Sequence, residues 1–287
     1  MPQTAAYRIV KLANGTCSLR SLAHRETFHP VVGPVAEAEA LYVRQIRLIE
    51  RLQVHQGEFV IWDVGLGAAA NALTVLRMTR EVHCSIHLLS FDSTLEPLTF
   101  ALQHQELLGY FNGYESHLNQ LMSKQHAAFS DGAASVKWEL HLADFPALLA
   151  QPEALTLAKP HGIMFDAFSP AKNPAMWTLP LFSRLSQLLD SSRPCVLPSY
   201  SRSTMFRVTL LLAGLFVGVG HGIGEKEETT IAANTLDLIP EPLDRQWLEK
   251  ARRSGGAEPL REPLYRQAPL SPETWDALQK HPQFQRD

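Results

Sequence analysis

The chain has 287 residues, 45% of them hydrophobic and 19% charged, with a formal net charge of -3 at neutral pH. A chain of that size and composition buries a core of its own, and its acidic balance argues against gripping nucleic acid by bulk positive charge, while leaving room for a local basic patch. Cys17, Cys84 and Cys195 stand far apart, with no CxxC or Cys/His ligand spacing; neither a disulfide framework nor a metal is signalled, and a reducing cytoplasm is expected.

In chain order, the first periodic segment is "PVAEAEALYVRQIRLIERLQ" (34–53), where Leu41, Ile46, Leu48, Ile49 and Leu52 fall near helical spacing. It is predicted as one helix in an N-terminal extension covering residues 1–55. Arg44, Arg47 and Arg51 would share one face of it.

Strands and helices then alternate. "EFVIWDV" (58–64), "SIHLLSF" (85–91), "SVKWELH" (135–141), "GIMFDAF" (162–168) and "RPCVLPSY" (193–200) are short and apolar, with helix-length segments between them. That pattern predicts a parallel sheet wrapped by helices. The long second crossover, residues 97–133, offers "TFALQHQELLGYF" and "SHLNQLMSKQHAAF" as helix candidates. Near the end, "LFVGVGHG" and "ETTIAAN" are separated only by "IGEKE", too short for a crossover helix, so they should pair antiparallel. "TLLLAGLFVGVG" (209–220) is too short to span a bilayer. Residues 56–239 are expected to form the main domain, and 240–287 a short helix, "LDRQWLEKARR", with a C-terminal arm.

Four places can carry chemistry. "WDVGLGAAANAL" (62–73) is strand, glycine turn and helix start; Gly65 and Gly67 let backbone approach a ligand, and the helix N-terminus points at it. Asp92 closes the second strand, where a carboxylate can accept from a ribose diol or cap the next helix. Asp144 follows the third strand, where it can read an adenine amino group or again serve as a cap. Asp166 ends the fourth. Carboxylates after consecutive parallel strands land on one sheet edge with the glycine turn, and together favour a nucleoside cofactor.

Asp166 opens the stretch "DAFSPAKNPAMWT". A primary amine ordinarily titrates at ~10 and is mostly protonated at neutral pH, and a carboxylate can orient it and take its proton. Phe168 can stack on a flat ring, Pro170 and Pro174 would stiffen the loop, and Lys172 and Asn173 can contact phosphate or a base edge. Met176 and Trp177 can equally be core.

Five parallel strands followed by a terminal hairpin is the layout of class I S-adenosylmethionine-dependent methyltransferases, a Rossmann-like α/β fold with a mostly parallel seven-stranded sheet. The gapless string from Asp166 to Trp177 resembles the methyltransferase family represented by a domain of MnmC and its stand-alone relatives, which complete 5-methylaminomethyl-2-thiouridine at the tRNA wobble position. "HPVVGPVAEAEALYV" (29–43), with Gly33, Glu37, Ala38 and Tyr42, is similar to that family's N-terminal segment, and Asn71 stands in the family's place in "DVGLGAAAN". "YSRSTMFRVTLLLAGLFV" (200–217) and "GIGEKEETTIA" (222–232) resemble later segments.

The resemblance implies an N-methyltransferase using S-adenosyl-L-methionine, held by Gly65, Gly67, Asn71, Asp92, Asp144 and Glu37, with Asp166 facing the aminomethyl group. Phe168, Pro170, Lys172, Asn173 and Tyr200 fall on the acceptor side. The chain departs from the family at Ala68 and Ala69, which replace a Thr-Gly pair, and at Pro30, which stands for a serine. Arg202, Arg207, Arg252 and Arg253 offer further positive charge for tRNA. A small or peptide amine as acceptor, or a non-catalytic relative of the fold, are the other readings. No metal and no membrane segment are expected.

Overall fold

The computed structural model describes residues 6–224 and 227–285; Glu225 and Lys226 of the "GIGEKE" segment lie outside the described residues. By its internal contacts the chain forms two compact units.

The first unit takes the chain to Asp144 together with Met164–Asp166 and Ile223–Glu227. It opens with a small antiparallel sheet that the apolar patterning does not predict: β1 (Tyr7–Lys11), β2 (Cys17–Ser21) and β3 (Glu26–Thr27), in that order. Asn14 and Gly15 make the first turn, a pairing whose hairpin preference was legible; the Asn14 side chain accepts from the Thr16 amide at 3.1 Å.

The predicted 34–53 helix is interrupted. α1 (Pro34–Ala38) widens into a π turn over Glu39–Arg44, the chain reverses at Arg47 (φ 51°), and α2 (Leu48–Val54) follows. Leu41, Ile46, Leu48 and Leu52 are all buried, yet no single 3.6-residue face carries them; the wide turn and the break rephase the apolar stripe. As a result Arg44, Arg47 and Arg51 do not share one helix face. Arg44 pairs with Glu39, Arg47 lies near Glu50, and Arg51 packs over the Phe59 ring.

β4 (Glu58–Val64), α3 (Ala70–Thr79), β5 (Ser85–Asp92), α4 (Glu96–Gln103), α5 (Gln105–Leu108), α6 (Glu115–Lys124), β6 (His126–Asp131) and β7 (Ala134–Leu142) complete this unit. β4, β5 and β7 are parallel, and β6 pairs antiparallel with β7. "SHLNQLMSKQHAAF" is therefore helix only to Lys124. Gln125 adopts φ 59° and ends it, and the rest becomes a strand that returns through the Asp131-Gly132 turn. With β6 included, the large mostly parallel sheet has eight strands rather than seven.

The second unit holds α7 (Phe145–Ala150), the start of β8 (Gly162–Phe165), α8 (Leu179–Leu188), β9 (Val196–Ser199), α9 (Thr204–Leu212), β10 (Phe216–Gly220), β11 (Thr229–Ala233), α10 (Arg245–Arg252) and α11 (Pro272–Gln279). β8 and β9 run parallel; β11 lies between β9 and β10, antiparallel to both, as the short connection requires. Thr178, Ser203 and Asp244 cap the helices that follow them by accepting from Leu181, Phe206 and Trp247 amides.

The C-terminal arm seals a sheet edge. The Gln283 side chain both accepts from the Val217 amide and donates to the Val217 carbonyl, each at 2.8 Å, and Val219 donates to Glu241. The backbone groups of β10 that would otherwise face water as a template for another chain are thereby paired. Arg207 is buried rather than part of a basic surface: its guanidinium meets Glu228 at 3.2 Å, the Thr229 carbonyl at 2.8 Å and the Thr230 hydroxyl at 3.0 Å. Arg252 packs over the Trp275 ring. Among the described residues no helix is long and apolar enough to cross a membrane.

Candidate active site

In the first unit, β4 runs straight into the glycine turn. Gly65 and Gly67 adopt φ 94° and 54°, values open to glycine at little steric cost, and the Gly65 and Leu66 amides donate to the Phe91 carbonyl at the end of β5. A Cβ on Gly67 would come within 3.1 Å of the Phe28 ring. Asp92 fastens the same turn: its Oδ2 accepts from the Gly67 amide at 2.8 Å and its Oδ1 from the Thr94 amide at 3.2 Å. Asp92 does not cap the next helix, since α4 starts at Glu96 with no side-chain cap and the Thr94 bond closes a turn two residues on; an ionised carboxylate offers about four acceptor directions, not all of which backbone amides occupy here. Burial raises the Asp92 carboxyl pKa, against the lowering effect of those amides.

Ala69 stands where the resemblance expects glycine, and it adopts φ 61°, completely buried, at the start of α3. A left-handed alanine costs ~1 kcal/mol, part of which glycine returns through its greater freedom when unfolded. Ala69→Gly is expected to raise the midpoint of thermal unfolding by about 1–3 °C, read by differential scanning calorimetry.

Behind the turn a polar chain crosses three strands. Trp138 Nε1 on β7 donates to Ser90 Oγ on β5 at 2.9 Å, and Ser90 Oγ donates to Asp63 Oδ2 on β4 at 2.7 Å. Burial, opposed by the Ser90 bond and reinforced by the charges of Asp166 and Asp92, pushes the Asp63 carboxyl up to about 7. Asp63 was not singled out from the sequence, although a carboxylate inside the apolar run "FVIWDV" was the available signal.

Asp166 follows β8, and its amide donates to the Val64 carbonyl at 3.0 Å, which places it beside the end of β4. Its Oδ2 accepts from Asn71 Nδ2 on α3 at 2.7 Å and is 2.9 Å from His29 Nε2. His29 is the residue that sequence reasoning missed. It lies in the "HPVVG" segment, buried, at φ 48°, but 137 positions from Asp166. Burial alone would lower its pKa; the Asp166 charge and hydrogen bond, with Glu37 and Asn71 beside it, raise it instead to about 9. Glu37, on α1, is buried, and one donor atom each from His29, Glu37 and Asp166 lies within 4.8 Å of the others. With the imidazole protonated the trio is one cation answering two acids, an ion cluster whose members also have the spacing of metal ligands.

The imidazole has a consequence for stability. Its folded pKa exceeds the unfolded value of 6.5, so its contribution is fully present below about pH 6.5 and fades as pH rises through about 9. Unfolding in urea is expected to show stability falling across that window, and the fall to flatten in a His29→Gln variant.

The residues present fit a nucleoside sulfonium amino acid. Asp63 Oδ1 and Asn71 Oδ1 are buried acceptors with no hydrogen-bond partner among the described residues, next to a turn whose backbone is open and a half-buried Asp92. A ligand bearing an ammonium and a ribose diol supplies the donors that such a set lacks. Glu37, Gly65, Gly67, Asn71, Asp92 and Asp166 all belong to this unit. Asp144, two residues past β7, is exposed, and its neighbour Ala143 donates to the Asp92 carbonyl at 2.8 Å.

The acceptor-side candidates belong to the second unit. There the loop after Asp166 is tied by its own aromatics: Trp177 Nε1 donates to the Phe168 carbonyl at 2.7 Å and Tyr200 OH to the Ala167 carbonyl at 2.8 Å, with the two rings edge to face. Lys172 and Asn173 amides both donate to the Ser169 carbonyl, a tight turn that leaves the Lys172 side chain exposed and Phe168 and Pro170 half-buried. Met176 and Trp177 are buried core.

Residues 110–235 match a family model described as S-adenosyl-L-methionine-dependent methyltransferase. The chain is 26% identical over 249 residues to the tRNA 5-methylaminomethyl-2-thiouridine biosynthesis bifunctional protein MnmC of Ectopseudomonas mendocina, covering 83% of this chain and 36% of that protein. It is 27% identical over 236 residues to the protein of the same name from Aeromonas hydrophila, covering 78% and 34%. The chain thus spans about a third of the length of the curated relatives it matches. Among solved structures, MnmC2 from Aquifex aeolicus superposes with a TM-score of 0.68 at 26% identity, covering 97% of this chain and 86% of that one. The fold is that of the class I methyltransferases.

Proposed function

We propose that this methyltransferase uses S-adenosyl-L-methionine to methylate the exocyclic aminomethyl group of a tRNA wobble uridine, acting in the cytoplasm. The observation that carries the reading is Asp166: a carboxylate at the end of β8, fixed from two sides by Asn71 and His29 and continuous with the "DAFSPAKNPAMW" loop. The names of the MnmC relatives supply the acceptor.

When bound, the cofactor supplies a methyl carbon on a positively charged sulfur, which leaves with the bonding electron pair as the acceptor nitrogen bonds to that carbon. Gly65, Gly67 and Asp92 would hold the nucleoside, and Glu37 the amino-acid end. Asp166 orients the amine nitrogen and accepts its proton at a carboxylate oxygen, because only the neutral amine has a lone pair to give. The stiff loop steadies that carboxylate, since Tyr200 and Trp177 hold the carbonyls of Ala167 and Phe168, the next two residues of the chain. Phe168 would stack on the base, and Lys172 and Asn173 would meet the backbone of the tRNA, aided by exposed arginines such as Arg202 and Arg253.

Calorimetric titration with S-adenosyl-L-methionine, then methyl transfer to tRNA bearing 5-aminomethyluridine, tests the reading in one preparation. Binding with transfer supports it. Binding without transfer moves the acceptor to a small or peptide amine, which would also lack the steep salt dependence of phosphate contacts. A folded protein that does not bind the cofactor is a non-catalytic relative.

A further inference from the structure

Glu37 and Asp166 reach within 4.8 Å of each other in a buried setting, where two carboxylates cannot both stay ionised unless something answers their charge. The third member of the group, within the same 4.8 Å, is a histidine. His29 Nε2 lies 2.9 Å from Asp166 Oδ2, its side chain only 7% exposed against 18% for Asp166, so the imidazole is behind the carboxylate and the carboxylate is what a ligand meets. The left-handed backbone at His29 (φ 48°) is an uncommon conformation for a non-glycine residue, of the kind kept where the side chain's position matters. Asn71, on α3, donates to the same oxygen and adds orientation without charge.

We propose that His29 is the counter-ion that keeps Glu37 and Asp166 ionised together, and so acts as the positioning residue that holds Asp166 as the proton-accepting carboxylate of methyl transfer. This rests on the function proposed above. The titratable groups around His29 are Asp166 from the end of β8 and Glu37 from α1, with Asp63 on β4 acting on Asp166 as a third carboxylate. Taking the imidazolium away leaves Asp166 and Glu37 without a counter-charge beside an Asp63 already pushed up to about 7, and a further proton is then held among these acids at neutral pH. If that proton sits on Asp166, the acceptor ammonium has nowhere to put its own.

Two measurements test this separately. In the wild-type protein without tRNA, the His29 ring nitrogens are followed by NMR against pH. The imidazole should stay protonated through neutrality and titrate near 9, and in an Asp166→Asn variant its proton affinity should fall by at least about tenfold. Titration near the ordinary value of ~6.5 would overturn the proposal whatever the substrate proves to be. The second is the pH profile of kcat for methyl transfer to tRNA bearing 5-aminomethyluridine. His29→Gln keeps a donor toward Asp166 but not the charge, so its kcat should fall about tenfold near neutrality and recover toward wild type at alkaline pH, its acidic limb having moved from below neutrality to about one pH unit above it. A His29→Gln profile that merely drops by a constant factor, or does not change, would also overturn it. Absence of transfer by the wild-type protein would instead remove the acceptor assigned above and leave the NMR result standing.

Discussion

Asp166→Asn is expected to lower kcat for tRNA methylation by about a thousandfold, the range over which a positioned acid or base typically contributes. Asparagine preserves the shape and can still bond to Asn71, but it cannot take a proton from the acceptor. The affinity for S-adenosyl-L-methionine should stay within about tenfold of wild type, because the glycine turn and Asp92 are untouched and only a neighbouring charge is lost. Single-turnover kinetics together with calorimetry separate the two quantities. A variant that transfers methyl within tenfold of the wild-type rate would take proton transfer away from Asp166, and one that fails to bind the cofactor would make Asp166 a binding residue.

Asp92→Ala should act in the opposite sense, on affinity first. The carboxylate fastens the Gly67 and Thr94 amides and, in the proposed complex, the ribose diol. Hydrogen bonds to a charged group are worth about 1.5–3 kcal/mol each, so losing those to the diol should raise Kd by about a hundredfold. Stability should fall as well, by about 2 kcal/mol, because two backbone donors lose their partner. Asp92→Asn, which keeps acceptor geometry for at least one amide, should recover most of the stability but little of the affinity. If Asp92→Ala destabilises the protein while Kd is unchanged, Asp92 is a turn fastener alone.

The two substitutions probe residues that were legible in the sequence for the same reason. Asp92 and Asp166 each close a short apolar run, and short runs separated by helix-length segments imply parallel strands whose carboxyl ends meet at one edge. Local pattern and topology point the same way there. The β10–β11 hairpin was legible because five residues leave no room for a crossover.

Elsewhere the local signal misled. "HAAF" continued the alanine-favoured helix before it, and only pairing with β7 turned it into β6, although Asp131-Gly132 announced a turn. The 34–53 segment has helix formers throughout, yet burying Leu41, Tyr42, Leu48 and Leu52 together required a π turn and a break at Arg47. Arg207 read as one more surface cation, and packing placed it against Glu228 and the start of β11.

The sequence by itself determined the class of fold, the glycine turn, and which carboxylates end which strands, because each depends on residues within one strand-turn-helix unit. Tertiary structure alone decided what surrounds Asp166. His29 and Glu37 come from one N-terminal segment and Asn71 from α3, and the pKa of His29 depends most on Asp166, a carboxylate brought near it by chain closure from 137 positions away. Charge interactions fall off with distance in space, and in a buried cluster the partners that matter are those the fold supplies.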